Sequence, residues 1–171
     1  MPKRRMKAED ALKLAIERER GANRFYLEAA GMTSDKDGGK MFRWLARQEA
    51  RHLAKLRQQL RSVQRDDKWL EWRRRADPID RSEFPSASEA SGQVTASTSE
   101  KEVLRMAIKS EQEALAFYAE AEDSTPDLRG KSMFKRLAGE EEGHRALLEE
   151  ELEWITMSRK YFTLHRFDLR G

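Results

Sequence analysis

The sequence from Ala11 to Leu60 can be laid over Val103 to Leu152 without a gap, and roughly two positions in five are identical. The matches include Ala15/Ala107, Ile16/Ile108, Glu19/Glu111, Phe25/Phe117, Tyr26/Tyr118 and Glu28/Glu120. They continue through Met41-Phe42/Met133-Phe134, Leu45-Ala46/Leu137-Ala138, Glu49/Glu141 and His52/His144. This is an internal duplication. It constrains the fold strongly, because whatever the first copy builds the second must build too.

Each copy reads as two helices. In the first, Leu12, Ala15, Glu19, Ala22, Tyr26 and Ala29 fall at seam spacing, and Gly31 is placed to stop the helix. The run "TSDKDGGK" is then a turn, and a second helix follows through Phe42, Leu45, Glu49, His52 and Leu56. The second copy has Leu104, Ala107, Glu111, Ala114, Tyr118 and Ala121 as its seam, with "TSEKE" as a capping sequence. Thr125-Pro126 is expected to open the last helix, whose inner face carries Phe134, Leu137, Glu141, His144 and Leu148. Charged residues make up 38% of the chain, with only nine glycines and four prolines, which suits long solvated helices better than a β-sandwich. The length of 171 residues fits one domain.

The expected fold is therefore all-α: a four-helix bundle of ferritin-like connectivity, two duplicated helical hairpins joined by a long crossover. The hairpins span residues 8–63 and 99–157, with the crossover at 64–98 and a C-terminal tail at 158–171. The crossover begins with "QRDDKWLEWRRRA", which either extends the second helix or forms a short one, and continues rich in Ser, Ala, Pro and Gly. Trp69 and Trp72 read as packing residues of this connection. His165, in the tail, stands outside the repeat and reads as a surface or partner contact.

The seams contain acids where leucines would serve better. Residues three or seven apart share a helix face, so Glu49 points with His52, Glu141 with His144, Glu19 with Tyr26 and Glu111 with Tyr118. The bundle interior would then hold four carboxylates and two imidazoles at about one level. A single unpaired buried carboxylate costs several kcal/mol, and a fold has only about 5–15 kcal/mol of net stability to set against it. Two divalent cations balance four carboxylates, and neutral imidazoles complete their shells. One Glu from each of two helices plus Glu-x-x-His from each of the others is the ligand set of dinuclear carboxylate bundles. On this reading Glu49 and Glu141 bridge, Glu19 and Glu111 are terminal ligands, and His52 and His144 each complete one metal. Tyr26 and Tyr118 are expected to hydrogen-bond the ligand carboxylates. A single Glu-x-x-His on a charged helix means little; two of them, in matching halves and each 30 residues after a seam glutamate, mean a good deal.

Other classes fall away on composition. The chain has no cysteine, which removes disulfides, thiolate catalysis and cysteine-held zinc or iron–sulfur centres. The net charge of +3 and the basic runs at the start and at Arg73 to Arg75 read as solvated surface, not as a nucleic-acid face. No apolar run approaches the ~20 residues of a membrane span, so no membrane partner is expected and a cytoplasmic location is the default.

The segments "ERGANRFY" (Glu19 to Tyr26), "EARH" (Glu49 to His52), "EQEALAFY" (Glu111 to Tyr118) and "EEGH" (Glu141 to His144) resemble the rubrerythrin branch of the ferritin-like superfamily, over about residues 8–157. The resemblance implies two iron ions, for which manganese or zinc could substitute, reacting with hydrogen peroxide or dioxygen, commonly in a homodimer. Two departures matter. Rubrerythrins proper carry a four-cysteine rubredoxin-like domain that delivers electrons, so this chain would need an external electron donor protein. They also carry a further glutamate where this chain has Ala114; its counterpart in the first copy is Ala22, which leaves a symmetric site of six ligands. A single-domain, erythrin-like protein is the closer resemblance. The alternatives are a ferroxidase that handles iron and a di-iron oxygenase with an organic substrate.

Overall fold

The apolar stripes of the sequence assemble into four helices. The computed structural model describes residues 7–33, 35–72 and 98–168, with side chains up to Met157. The helices are α1 (Ala8–Met32), α2 (Lys36–Asp66), α3 (Thr98–Ser124) and α4 (Leu128–Asp168), and the described residues contain no strand. Helix α1 packs on α2 and α3 on α4, giving two hairpins that meet most directly through α1 and α3. Contacts between α1 and α3 join Glu19 to Tyr118, Tyr26 to Glu111 and Thr33 to Glu100, so the two helices run antiparallel. It follows that α2 and α3 run the same way. The connection between them has to carry the chain from one end of the bundle to the other, which is the ferritin-like arrangement.

Capping differs from the expectation in an instructive way. Gly31 does not end α1; the helix reaches Met32 and closes with Thr33 N–H on the Ala29 carbonyl at 3.1 Å. The "DGGK" segment is not a turn but the opening of α2, because the Asp35 carboxylate accepts the Gly38 N–H at 2.6 Å. Likewise Pro126 does not start α4. Asp127 caps it, accepting the Arg129 and Gly130 N–H groups at 2.8 and 3.2 Å, and the proline lies outside the helix. Asp35 and Asp127 are equivalent in the duplication, so both hairpins turn on the same aspartate cap. The cap position before Thr98 lies outside the described residues, as do Arg73 to Arg75 and the side chain of His165. The expected tail is a continuation of α4 to Asp168.

The core divides into two apolar clusters stacked along the bundle. One joins Leu12, Leu56, Tyr118, Phe134 and Leu137 with Trp69 and Trp72; the other joins Tyr26, Phe42, Leu45, Leu104, Leu148 and Ile155. The two tryptophans do pack as expected. After α2 the chain turns through Asp67 in the left-handed region (φ 50°), and the Gln59 amide pairs with both backbone groups of Leu70 at 2.9 Å. Arg136 holds the Trp72 carbonyl at 2.7 Å, and Trp69 lies edge-on to Phe134. Gly130 makes room for Trp69, since a Cβ there would stand 2.8 Å from the indole. Between the two clusters lies a polar layer.

Candidate metal centre

Glu19, Glu49, Glu111 and Glu141 come from four different helices, and all four are at most 3% exposed; His52 and His144 are 1% and 4% exposed. They form two overlapping groups whose ligand atoms lie within 4.8 Å of one another: Glu19, Glu49, His52 and Glu141, and Glu49, Glu111, Glu141 and His144. Glu49 and Glu141 belong to both. The Nδ1 atom of His52 lies 3.3 Å from oxygens of Glu19, Glu49 and Glu141. That of His144 lies 2.9 Å from Glu141, 3.1 Å from Glu49 and 4.0 Å from Glu111. The two imidazole rings stack with centroids 5.8 Å apart. All six residues singled out from the sequence are thus brought together, with the two shared glutamates in the middle.

The tyrosines join the halves crosswise. Tyr26 donates its hydroxyl to Glu111 and Tyr118 donates to Glu19, so each copy fixes the outer glutamate of the other. Each ring is held by two phenylalanines: Tyr26 edge-on to Phe25 and stacked on Phe42, Tyr118 edge-on to Phe117 and stacked on Phe134. The duplicated Phe and Tyr positions therefore aim two hydroxyls at two carboxylates.

Electrostatics set the protonation of the cluster. Burial, reinforced by Glu49 beside it, pushes the Glu19 carboxyl well above its usual range. Burial and the neighbouring charges of Glu141 and Glu49 push Glu111 up to about 9. Glu49 and Glu141 move the other way. Burial alone would raise them, yet the imidazoles of His144 and His52 hold them down, Glu49 well below the usual range. For the histidines too, burial opposes charge, and the carboxylates prevail and raise both. Without a cation the cluster therefore favours protons on the outer glutamates and on both imidazoles, and ionised carboxylates at Glu49 and Glu141, so that opposite charges offset one another.

The Oε1 atoms of Glu49 and Glu141 are buried and form no hydrogen bond; beside them stand Nδ1 of His144, 3.1 Å from Glu49, and Nδ1 of His52, 3.3 Å from Glu141, which cease to be donors once the imidazoles act as ligands. A buried carboxylate oxygen without a donor is costly, and these two belong to the glutamates shared by both groups. Divalent ions would satisfy them, and an oxygen-rich set with one imidazole per position suits iron, manganese or zinc. The residues fit such a pair of ions.

A cavity of about 230 Å³ adjoins the cluster between α1 and α3, bordered by Glu19, Glu49, Glu111 and Glu141 and by the small Ala22 and Ala114. Arg18 also lines it, its guanidinium 5.4 Å from the Phe117 ring and its Nε without a hydrogen-bond partner. Two neighbours of the cluster escaped the sequence reading. Glu140 lies 2.7 Å from Nε2 of His52, and Trp44 stands edge-on to His144. The repeat could not flag Glu140, because its counterpart in the first copy is Gln48, and a glutamate within "GEEEGH" looks like one more surface charge.

The family model for Rubrerythrin matches residues 10–90, which takes in all but the first two residues of the first hairpin, with Glu19, Glu49 and His52. This part of the chain is rubrerythrin-like. Its second hairpin repeats the motif of the matched half at Glu111, Glu141 and His144. A solved structure of a hypothetical protein from Pyrococcus furiosus is similar over 88% of this chain and 91% of its own, with a TM-score of 0.65 and 26% identity. No curated protein matches the sequence. No helix among the described residues is long and apolar enough to cross a membrane.

Proposed function

We propose that this rubrerythrin-like bundle holds two iron ions and reduces hydrogen peroxide or dioxygen. The observation that carries the reading is the pair of overlapping Glu/His groups sharing Glu49 and Glu141. In this assignment those two glutamates would be shared by both ions, Glu19 with His52 and Glu111 with His144 would hold one ion each, and the tyrosine hydroxyls orient the outer carboxylates. Bound iron would supply the two electrons that the reduction of either oxidant requires.

The chain's own residues do the rest. The apolar clusters above and below close the polar layer to water along the bundle axis. Ala22 and Ala114 keep open the α1–α3 side, where a glutamate would fill space beside the cluster. At about 230 Å³ that cavity is smaller than the ~300–1,000 Å³ of sites that enclose drug-sized ligands, which favours a small oxidant over an organic substrate. These 171 residues contain no cysteine to hold a rubredoxin-type iron, so the proposal includes a separate electron donor protein, together with a cytoplasmic location and a homodimer.

The test is anaerobic loading with Fe(II), metal analysis, and stopped-flow mixing with peroxide or dioxygen. Two irons per chain and rapid oxidation by one of them are expected. A protein that binds fewer than two metals, or a loaded protein inert to both oxidants, refutes the proposal.

A further inference from the structure

The duplication makes the six-residue centre nearly symmetric, so the places where its surroundings break that symmetry stand out. His52 turns Nδ1 toward the carboxylate cluster and Nε2 outward, where Glu140 Oε2 lies 2.7 Å away. With Nδ1 facing the cation position, Nε2 carries the hydrogen and donates it to Glu140. Among the described residues the other half has no such pair. The position equivalent to Glu140 is Gln48, whose side-chain oxygen accepts from Arg51 at 3.4 Å. The His144 ring instead meets the edge of Trp44, at 5.7 Å and 85°. Among the described residues no carboxylate pairs with Nε2 of His144, while its Nδ1 faces Glu141 and Glu49.

A carboxylate behind a histidine ligand fixes the ring's tautomer and orientation and makes its free nitrogen a stronger donor to a metal. We propose that Glu140 is a positioning residue that makes the two cation positions unequal, so that the position formed by Glu19 and His52 takes the first divalent ion. The proposal rests on the dinuclear reading above and adds an order of filling that the six ligands, nearly symmetric in themselves, do not impose. Its geometry is local: Glu140 is on α4 and His52 on α2, so the pair also ties the two hairpins together beside the site. The Glu140 side chain is 39% exposed, which leaves room to change it without opening the core.

The experiment is an anaerobic titration of the metal-free protein with Co(II), followed by visible absorption and by calorimetry. Wild type should fill in two steps of unequal affinity. Glu140→Gln keeps the side chain's shape and should weaken the tighter step about 10- to 100-fold while leaving the weaker step in place. Glu142→Gln removes the same charge two residues along, at an exposed glutamate paired with Arg145, and should change neither step. The melting temperatures of the metal-free variants separate loss of affinity from loss of fold. A single shared affinity in wild type overturns the proposal. So does a Glu140→Gln variant that keeps the tighter step, or one that Glu142→Gln merely duplicates. Failure of the wild type to bind Co(II) at all would instead remove the dinuclear reading on which the proposal stands.

Discussion

Two divalent cations entering this centre have to displace protons, and the number is set by the geometry. In the metal-free cluster Glu19 and Glu111 are held neutral, chiefly by burial, and His52 and His144 are held protonated by the carboxylates around them. All four must give up a proton to act as ligands, so saturation should release about four protons near pH 7. For Glu111 alone, held at about 9, deprotonation at pH 7 costs roughly 3 kcal/mol of binding energy. While all four groups remain protonated in the metal-free protein, each unit of falling pH should weaken the combined two-metal affinity by about 10⁴, or about 5.4 kcal/mol. The assay is calorimetric titration with Zn(II) in buffers of different ionisation enthalpy, supported by pH-stat measurements in unbuffered solution. Release of one proton or none per pair of ions would refute the reasoning. The outer glutamates would then be ionised before metal arrives, and the burial argument would fail.

Other outcomes follow from the same structure. Because Glu111, His52 and His144 all have folded-state values above their unfolded ones, the folded metal-free protein binds more protons than the unfolded chain; its stability should fall as pH rises from about 5 towards 9. Thermal melts across that range check the sign, and stability that instead rises with pH would contradict it. Tyr118→Phe and Tyr26→Phe each leave an outer carboxylate without its hydroxyl and should destabilise the protein by similar amounts, about 1–3 kcal/mol in urea unfolding. Gly130→Ala drives a methyl group against Trp69 and Thr125 and should cost about 1–3 kcal/mol, although alanine is the better helix former. Asp127→Ala removes the cap of α4 and should cost about 1 kcal/mol, with Asp35→Ala close to it because the two caps are equivalent. Unfolding midpoints decide both comparisons.

Much of this molecule was already legible in its sequence. The gapless repeat and the helical spacing of its apolar residues specify two hairpins, and the same spacing turns Glu19, Glu49, His52, Glu111, Glu141 and His144 inward. Periodicity places side chains on faces reliably because it depends only on the geometry of one helix. The helix ends are less legible. Gly31 and Pro126 are general signals of termination and initiation, whereas Asp35 and Asp127 act through a specific side-chain bond to a backbone N–H, and that bond prevailed.

Tertiary structure decided what no single helix can encode. The exchange of tyrosine hydroxyls between copies, the contact of Glu140 with His52 and the open side at Ala22 and Ala114 all depend on which helices become neighbours and at what height. It also refined the electrostatics. Four inward glutamates demand two cations when only charges are counted along the chain. Folded together with two imidazoles they can also be neutralised by protons, because at these separations each group's protonation depends on its neighbours. The sequence determined which groups face inward; their packing determined which of them hold protons until a metal displaces them.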